Sequence, residues 1–211
     1  MAASARRIGA KTSKTRDALL DCVEAMMLQD GYASISYRTL AAEAGVTASL
    51  VQYYFPALDD IFLAAIRRYS ERNLELLSEG LEDRSEDPLH AMWEYSWDEA
   101  AAALTTEFIA LANHRKSIRS EIANVTERMR TLQVDALKDR YGPDARIAGD
   151  LSLGAVVLLT TGIPKFLSLE QGVGVNSAHA DVIKAFEQYL DAIEPRVPRR
   201  RKKVSRTRSR R

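Results

Sequence analysis

Seven residues within sixteen positions, Arg38, Thr39, Thr47, Ala48, Ser49, Gln52 and Tyr53, carry side chains suited to reading a nucleic acid. A glutamine amide offers a donor and an acceptor in one plane, the pair that adenine presents in the major groove; hydroxyls and a guanidinium suit phosphates and base edges. Tyr54 adds a further aromatic hydroxyl, and Lys14 and Arg16 add cations upstream. Catalytic chemistry finds less support. His90, His114 and His179 show none of the close spacings of a zinc site, and neither a Gly-rich phosphate loop nor a Gly-x-Ser-x-Gly elbow occurs. No cofactor, metal or enzymatic activity is expected, and a small-molecule enzyme on a helical scaffold is a minor alternative.

The elements that hold these residues are short helices. Ser36 can cap a first helix whose apolar face is Leu40, Ala41 and Ala44, and Gly45 supplies the left-handed turn that ends it. Thr47 caps a second helix, in which Val51 and Phe55 share the inward face while Ala48, Ser49, Gln52 and Tyr53 point elsewhere. Before them, Leu19, Leu20, Val23, Met26 and Met27 form a helical stripe that ends near Asp30-Gly31-Tyr32. After them come Pro56 and a further helical run from Asp59.

This order of helix, Gly-Tyr, Ser-capped helix, Gly-Val-Thr turn, helix with an aromatic tail and long helix resembles the N-terminal domain of TetR/AcrR-type helix-turn-helix transcriptional regulators, over roughly residues 10–65. The resemblance implies a homodimer on a palindromic double-stranded operator, most often as a repressor, released by a small, largely apolar effector. It also implies a divergent helical regulatory domain. Two departures stand out. Gln52 occupies a position where the family commonly has a phosphate-touching Tyr, and Leu58 stands where a Lys near the DNA backbone is usual.

The formal charge of +1 conceals segregation. Residues 1–16 hold five basic residues and no acidic one, residues 59–195 hold 14 basic and 24 acidic, and residues 196–211 hold ten basic and none acidic. DNA contact should therefore be confined to the N-terminal domain and the basic ends. The boundaries expected are a basic disordered arm at 1–14, a helix-turn-helix domain at 15–58, a ligand-binding and dimerisation domain at 59–195 and a basic disordered tail at 196–211. A protein that coats any DNA through its tails is the competing binding class. Cys22 is the sole cysteine, so no intrachain disulfide forms, and it reads as a small core residue. The most apolar run, Leu151–Ile163, is short and interrupted by Ser152, Thr160 and Thr161, so no membrane span and a cytoplasmic protein are expected.

From Asp59 onward the pattern is all-α, with helices expected at 59–79, 88–103, 105–113, 116–141, 145–168 and 178–193. Asp87 should cap the second of these and Pro164 should kink the fifth. Leu151, Ala155 and Leu158, then Val182, Phe186 and Tyr189, repeat at helical spacing. In the resembled family this last pair of helices forms a four-helix dimer interface; packing within the monomer is the other reading. Between reader and interface lie Met92, Trp93, Trp97, Phe108 and Met129, candidates for an apolar effector cavity, with Asn113 and His114 as polar orienting groups. For each of the apolar ones ordinary core is the competing role.

Overall fold

The structure is a computed structural model that describes residues 2–195, with side chains from Lys14 onward except that of Glu99. The chain runs α1 (Ala2–Asp30), a 3-10 turn (Tyr32–Ser34), α2 (Tyr37–Glu43), α3 (Ala48–Tyr54), α4 (Leu58–Asp83), α5 (Pro88–Tyr95), α6 (Glu99–His114), α7 (Lys116–Tyr141), a two-residue hairpin β1–β2 (Arg146–Ile147, Leu151–Ser152), α8 (Leu153–Gly172) and α9 (His179–Ile193). The all-α expectation holds apart from that hairpin, in which Arg146 faces Ser152 and Ile147 faces Leu151. Residues 196–211, expected as a basic tail, lie outside the described residues. The helix α1 runs through the segment expected as a disordered arm, so arm and first helix are one element.

Several boundaries differ from the pattern-based expectation, each for a local reason. Gly80 does not end α4, because Leu77 and Leu81 on either side of it are buried and their packing outweighs a helix penalty of about 1 kcal/mol. The expected helix 88–103 breaks after Tyr95: the Ser96 hydroxyl donates to the Met92 carbonyl at 2.7 Å, and the Asp98 carboxylate accepts from the Ala101 amide at 3.0 Å, starting α6 there. Asp87 does not cap α5; its carboxylate is taken by Arg84. The helix expected from residue 145 starts only at Leu153, because Ala148, Gly149 and Asp150 all have positive φ and turn the chain back. α8 continues through Pro164, which has no amide proton to offer the Thr160 carbonyl. The Thr160 hydroxyl is itself buried and has no hydrogen-bond partner among the described residues.

Two apolar cores result. The first joins Leu19, Leu20, Val23 and Met27 of α1 to Leu40, Val51 and Phe55, to Ile61, Phe62 and Ile66 of α4, and to Leu104, Phe108 and Leu111 of α6. The reader segment therefore shares its core with the body across the expected boundary at residue 58. Cys22 packs against this core, and burial, with Glu43 next, pushes its thiol pKa up, which disfavours the thiolate. The second core holds Leu77, Leu89, Met92, Trp93, Leu137, Val156, Val157 and Leu190. There α9 is tied down by polar contacts. Glu194 accepts from the backbone amide of buried His90 at 3.0 Å and from the Tyr141 hydroxyl at 2.6 Å, and the His90 ring nitrogens lie 3.1 Å from Glu194 and 2.9 Å from Asp191. α8 is long and apolar enough to cross a membrane by length and composition; here it packs against α5, α6 and α7.

Candidate nucleic-acid interface and effector cavity

The local chemistry of α2 and α3 determines what they present. Ser36 and Thr39 close a reciprocal cap: the Thr39 amide donates to the Ser36 hydroxyl at 3.1 Å and the Ser36 amide to the Thr39 hydroxyl at 2.9 Å. Thr39 also donates to the Ser34 carbonyl at 2.8 Å, so its hydroxyl is spent inside the fold rather than held ready for DNA. At Gly45 the backbone has φ 64°, where a side chain would be strained, and the chain turns into the Thr47 cap of α3. Val51 and Phe55 are buried, and Ala48, Ser49, Gln52 and Tyr53 stand in solvent, Tyr53 at 74% exposure. Arg38 is exposed on α2.

The remaining reader residues divide. Lys14 is exposed, whereas the Arg16 guanidinium lies 5.2 Å from the Phe55 ring centroid and helps seal the core. Tyr54 is half-buried and meets Tyr53 edge-on at 5.3 Å. Sequence inspection missed Tyr37, whose hydroxyl donates to the carbonyls of Phe55 and Pro56, both at 3.0 Å, clasping the end of α3 to the start of α2. A tyrosine at the first helical position after a capping Ser was the signal available.

Where the two cores meet, a cavity of about 220 Å³ opens among α4, α6, α7 and α8. Phe108 and Met129, both named as candidates for an effector cavity, are among its lining residues. Met92 and Trp93 do not: they are buried in the second core, and Trp97 stacks edge-on against Trp93 at 5.3 Å. Asn113 and His114, at the far end of α6, are exposed and away from the cavity. Its polar groups come instead from Tyr69, Asn73, Tyr95, Gln133, Arg130 and Lys165. Burial pushes the Tyr69 pKa up and that of Tyr95 to about 12, with Tyr69 and Asp98 adding to the latter; Lys165 is exposed, yet crowding by neighbouring atoms and the nearby Arg130 charge push its ammonium down. Ile122, Val125, Met129 and Gln133 share one face of α7 at helical spacing, which is the pattern by which the sequence could have revealed this wall.

Cavity and reader are mechanically joined. α4 contributes Tyr69 and Asn73 to the cavity and Ile61, Phe62 and Ile66 to the reader's core. Its Asp59 pairs with Arg115 and accepts from Ser117 at 2.8 Å, and Arg68 and Arg72 both reach Glu24 of α1. α6 makes a second link. Glu107, beside the lining residues Thr106 and Phe108, accepts from the Tyr32 amide at 2.8 Å, and a Cβ built on Gly31 (φ 77°) would stand 3.3 Å from that carboxylate.

The last two helices present an apolar face. Leu158 is 52% exposed, Phe166 60%, and Leu159, Leu169 and Val182 are exposed with them. Leu151 and Ala155 are half-buried. Phe186 and Tyr189, expected on this face, are partly used within the chain: Phe186 lies 4.9 Å from Trp93, and the Tyr189 hydroxyl donates to the Ala148 carbonyl at 2.9 Å.

An HTH-type transcriptional repressor, BepR of Brucella suis biovar 1, is 27% identical to this chain over 137 residues, a stretch covering 63% of this chain and 65% of that repressor. The match thus spans less than two thirds of that relative's own length. No family model matches the chain. Among solved structures, a putative transcriptional regulator of Saccharomonospora viridis in complex with choline superposes with a TM-score of 0.72 at 16% identity, covering 89% of this chain and 100% of that one. A TetR transcription regulator of Haloarcula marismortui gives 0.69 at 15% identity, covering 86% and 98%. A putative TetR-family regulator of a Rhodococcus species gives 0.66 at 20%, covering 86% and 99%. The fold is that of the TetR-family transcriptional regulators, a helix-turn-helix domain followed by a larger helical one.

Proposed function

We propose that the protein is a ligand-responsive transcriptional repressor that binds a palindromic operator as a homodimer and releases it when a small, largely apolar effector enters the cavity. The observation that carries this reading is the double role of α4, which walls the cavity and holds the reader's core. In a two-fold dimer the recognition helices must stand about 34–36 Å apart to meet successive major-groove faces, so a small pivot of each reader ends their simultaneous fit. An effector that moves Tyr69 shifts α4, and one that moves α6 shifts Glu107 against Tyr32. By linkage, an effector that releases DNA binds more weakly to the DNA-bound dimer.

Within the reader, Gln52 is the foremost base contact, with Arg38, Thr47, Ala48, Ser49, Tyr53 and Tyr54 around it and Lys14 and Arg16 toward the backbone. The dimer forms through the apolar face of α8 and α9 around Leu158, Phe166 and Val182, with Leu151 and Ala155 at its edge. Selection of bound duplexes from a random pool tests the reading. Enrichment of an inverted repeat is the expected outcome. Equal retention of all sequences, with affinity governed by salt and lost when residues 196–211 are removed, would instead establish a general DNA-coating protein.

A further inference from the structure

The cavity has an apolar body and a positively charged end. Phe108, Ile122, Val125, Met129 and Val157 supply the body, while Arg130 of α7 and Lys165 of α8 both reach the wall. Arg67 pairs with Glu121, Arg68 and Arg72 with Glu24, and Arg128 with Glu71, while Arg119 and Arg140 of α7 donate to backbone carbonyls. Among the described residues neither Arg130 nor Lys165 has a carboxylate within ion-pair distance. Lys165 is exposed and Arg130 half-buried where they reach the wall; crowding by neighbouring atoms, with the Arg130 charge next, pushes the Lys165 ammonium pKa down. An anion placed between the two like charges relieves their repulsion and is attracted by both. The acid on the wall, Asp98, is already engaged as the cap of α6, accepting from the Ala101 amide at 3.0 Å.

Size narrows the ligand further. An apolar cavity of about 150 Å³ holds benzene, so the 220 Å³ here admits a molecule of roughly ten non-hydrogen atoms. We propose that the effector is an apolar monoanion, a carboxylic acid of medium chain length or a small aromatic acid, whose carboxylate is held between Arg130 and Lys165 while its hydrocarbon part lies along Phe108, Val125 and Met129. The proposal rests on the reading of this cavity as the effector site and adds the ligand's charge. The neighbour crystallised with choline, a cation, marks the opposite chemistry.

Calorimetric titration of the full chain with octanoate, octan-1-ol and octyltrimethylammonium separates charge from apolar fit. Octanoate is expected to bind at least tenfold more tightly than the alcohol, with the ammonium weakest. The variant pair Arg130→Gln and Lys165→Met should erase octanoate's advantage and leave octanol binding as it was; Lys165→Arg should restore most of it. Octanoate affinity should fall as pH rises through the titration of the free Lys165 ammonium, because only the charged form attracts the carboxylate, and this fall should vanish in Lys165→Met. That pH profile, read on the unaltered protein, serves even if the double variant does not fold. Equal binding of acid and alcohol, preference for the ammonium, or indifference of octanoate to both substitutions would overturn the proposal. A double variant that turns monomeric would assign the two cations to a subunit contact and overturn it as well. If the alcohol or the ammonium binds and releases DNA, the cavity reading stands and only the anion is lost; if none of the three binds, both fall.

Discussion

The reader and the cavity are assembled from contacts of very different range. In α2 and α3, the caps of Ser36 and Thr47 join residues three apart, and the turn at Gly45 is set by one residue's backbone freedom. The cavity instead brings Tyr69, Phe108, Met129 and Lys165 together from four helices spread over nearly a hundred positions. Local construction makes the reader's exposed face rigid before any partner arrives. Long-range construction makes the cavity wall depend on how four separate helices pack against one another.

The largest test of that contrast compares two phenylalanines. Phe55→Ala should destabilise the protein by about 3–5 kcal/mol in urea unfolding, because it empties a sealed core that includes the whole reader. Phe108→Ala enlarges a void that already exists, so it should cost less and act mainly on effector affinity; equal costs would show that the cavity wall is packed as tightly as the reader's core. Next, Leu158→Glu or Phe166→Glu should give monomers in sedimentation, with operator affinity falling in step, since either buries unpaired charge in the proposed interface. Retained dimers would put the interface elsewhere.

Smaller effects follow within the reader. Gln52→Ala should weaken operator binding by roughly 1–3 kcal/mol and scarcely touch nonspecific DNA, which separates base reading from a phosphate contact. Thr47→Ala should cost about 1 kcal/mol of stability through the lost cap, visible in unfolding but modest in DNA affinity. The smallest effect is expected under alkaline conditions. Tyr95 and Tyr141 have pKa values raised by burial, Tyr95 to about 12 and Tyr141 higher, with its hydroxyl held by Glu194. The unfolded state then loses these protons first, so stability is level below pH about 10 and declines above it. Tyr141→Phe should flatten part of that decline. An unchanged slope would mean that other groups govern it.

Much of this molecule was legible without coordinates. The Ser36 and Thr47 caps, the Gly45 turn and the inward pair Val51 and Phe55 stand where the residue types require, and α7 occupies 116–141 as its pattern predicts. These features depend on interactions within a turn or two, which a short window contains. The same logic failed at residues 88–103, where the Asp98 cap starts a new helix, and at 145–152, where three residues with positive φ make a hairpin.

What the sequence determined by itself is the reader: which helices form there, which face turns outward, and which polar side chains stand on it. Only the tertiary structure decided the cavity. The i, i+4 spacing of Trp93 and Trp97 suggested a shared face of ligand contacts, yet they pack against each other and Trp93 against Phe186, while the wall includes Tyr69, Gln133, Arg130 and Lys165. Helical periodicity tells that a face is apolar but not what it meets, because the partner lies on another helix whose approach is set by the packing of both cores. That Arg130 and Lys165 meet at one wall without a carboxylate partner among the described residues is likewise invisible in a sequence where basic and acidic residues nearly balance.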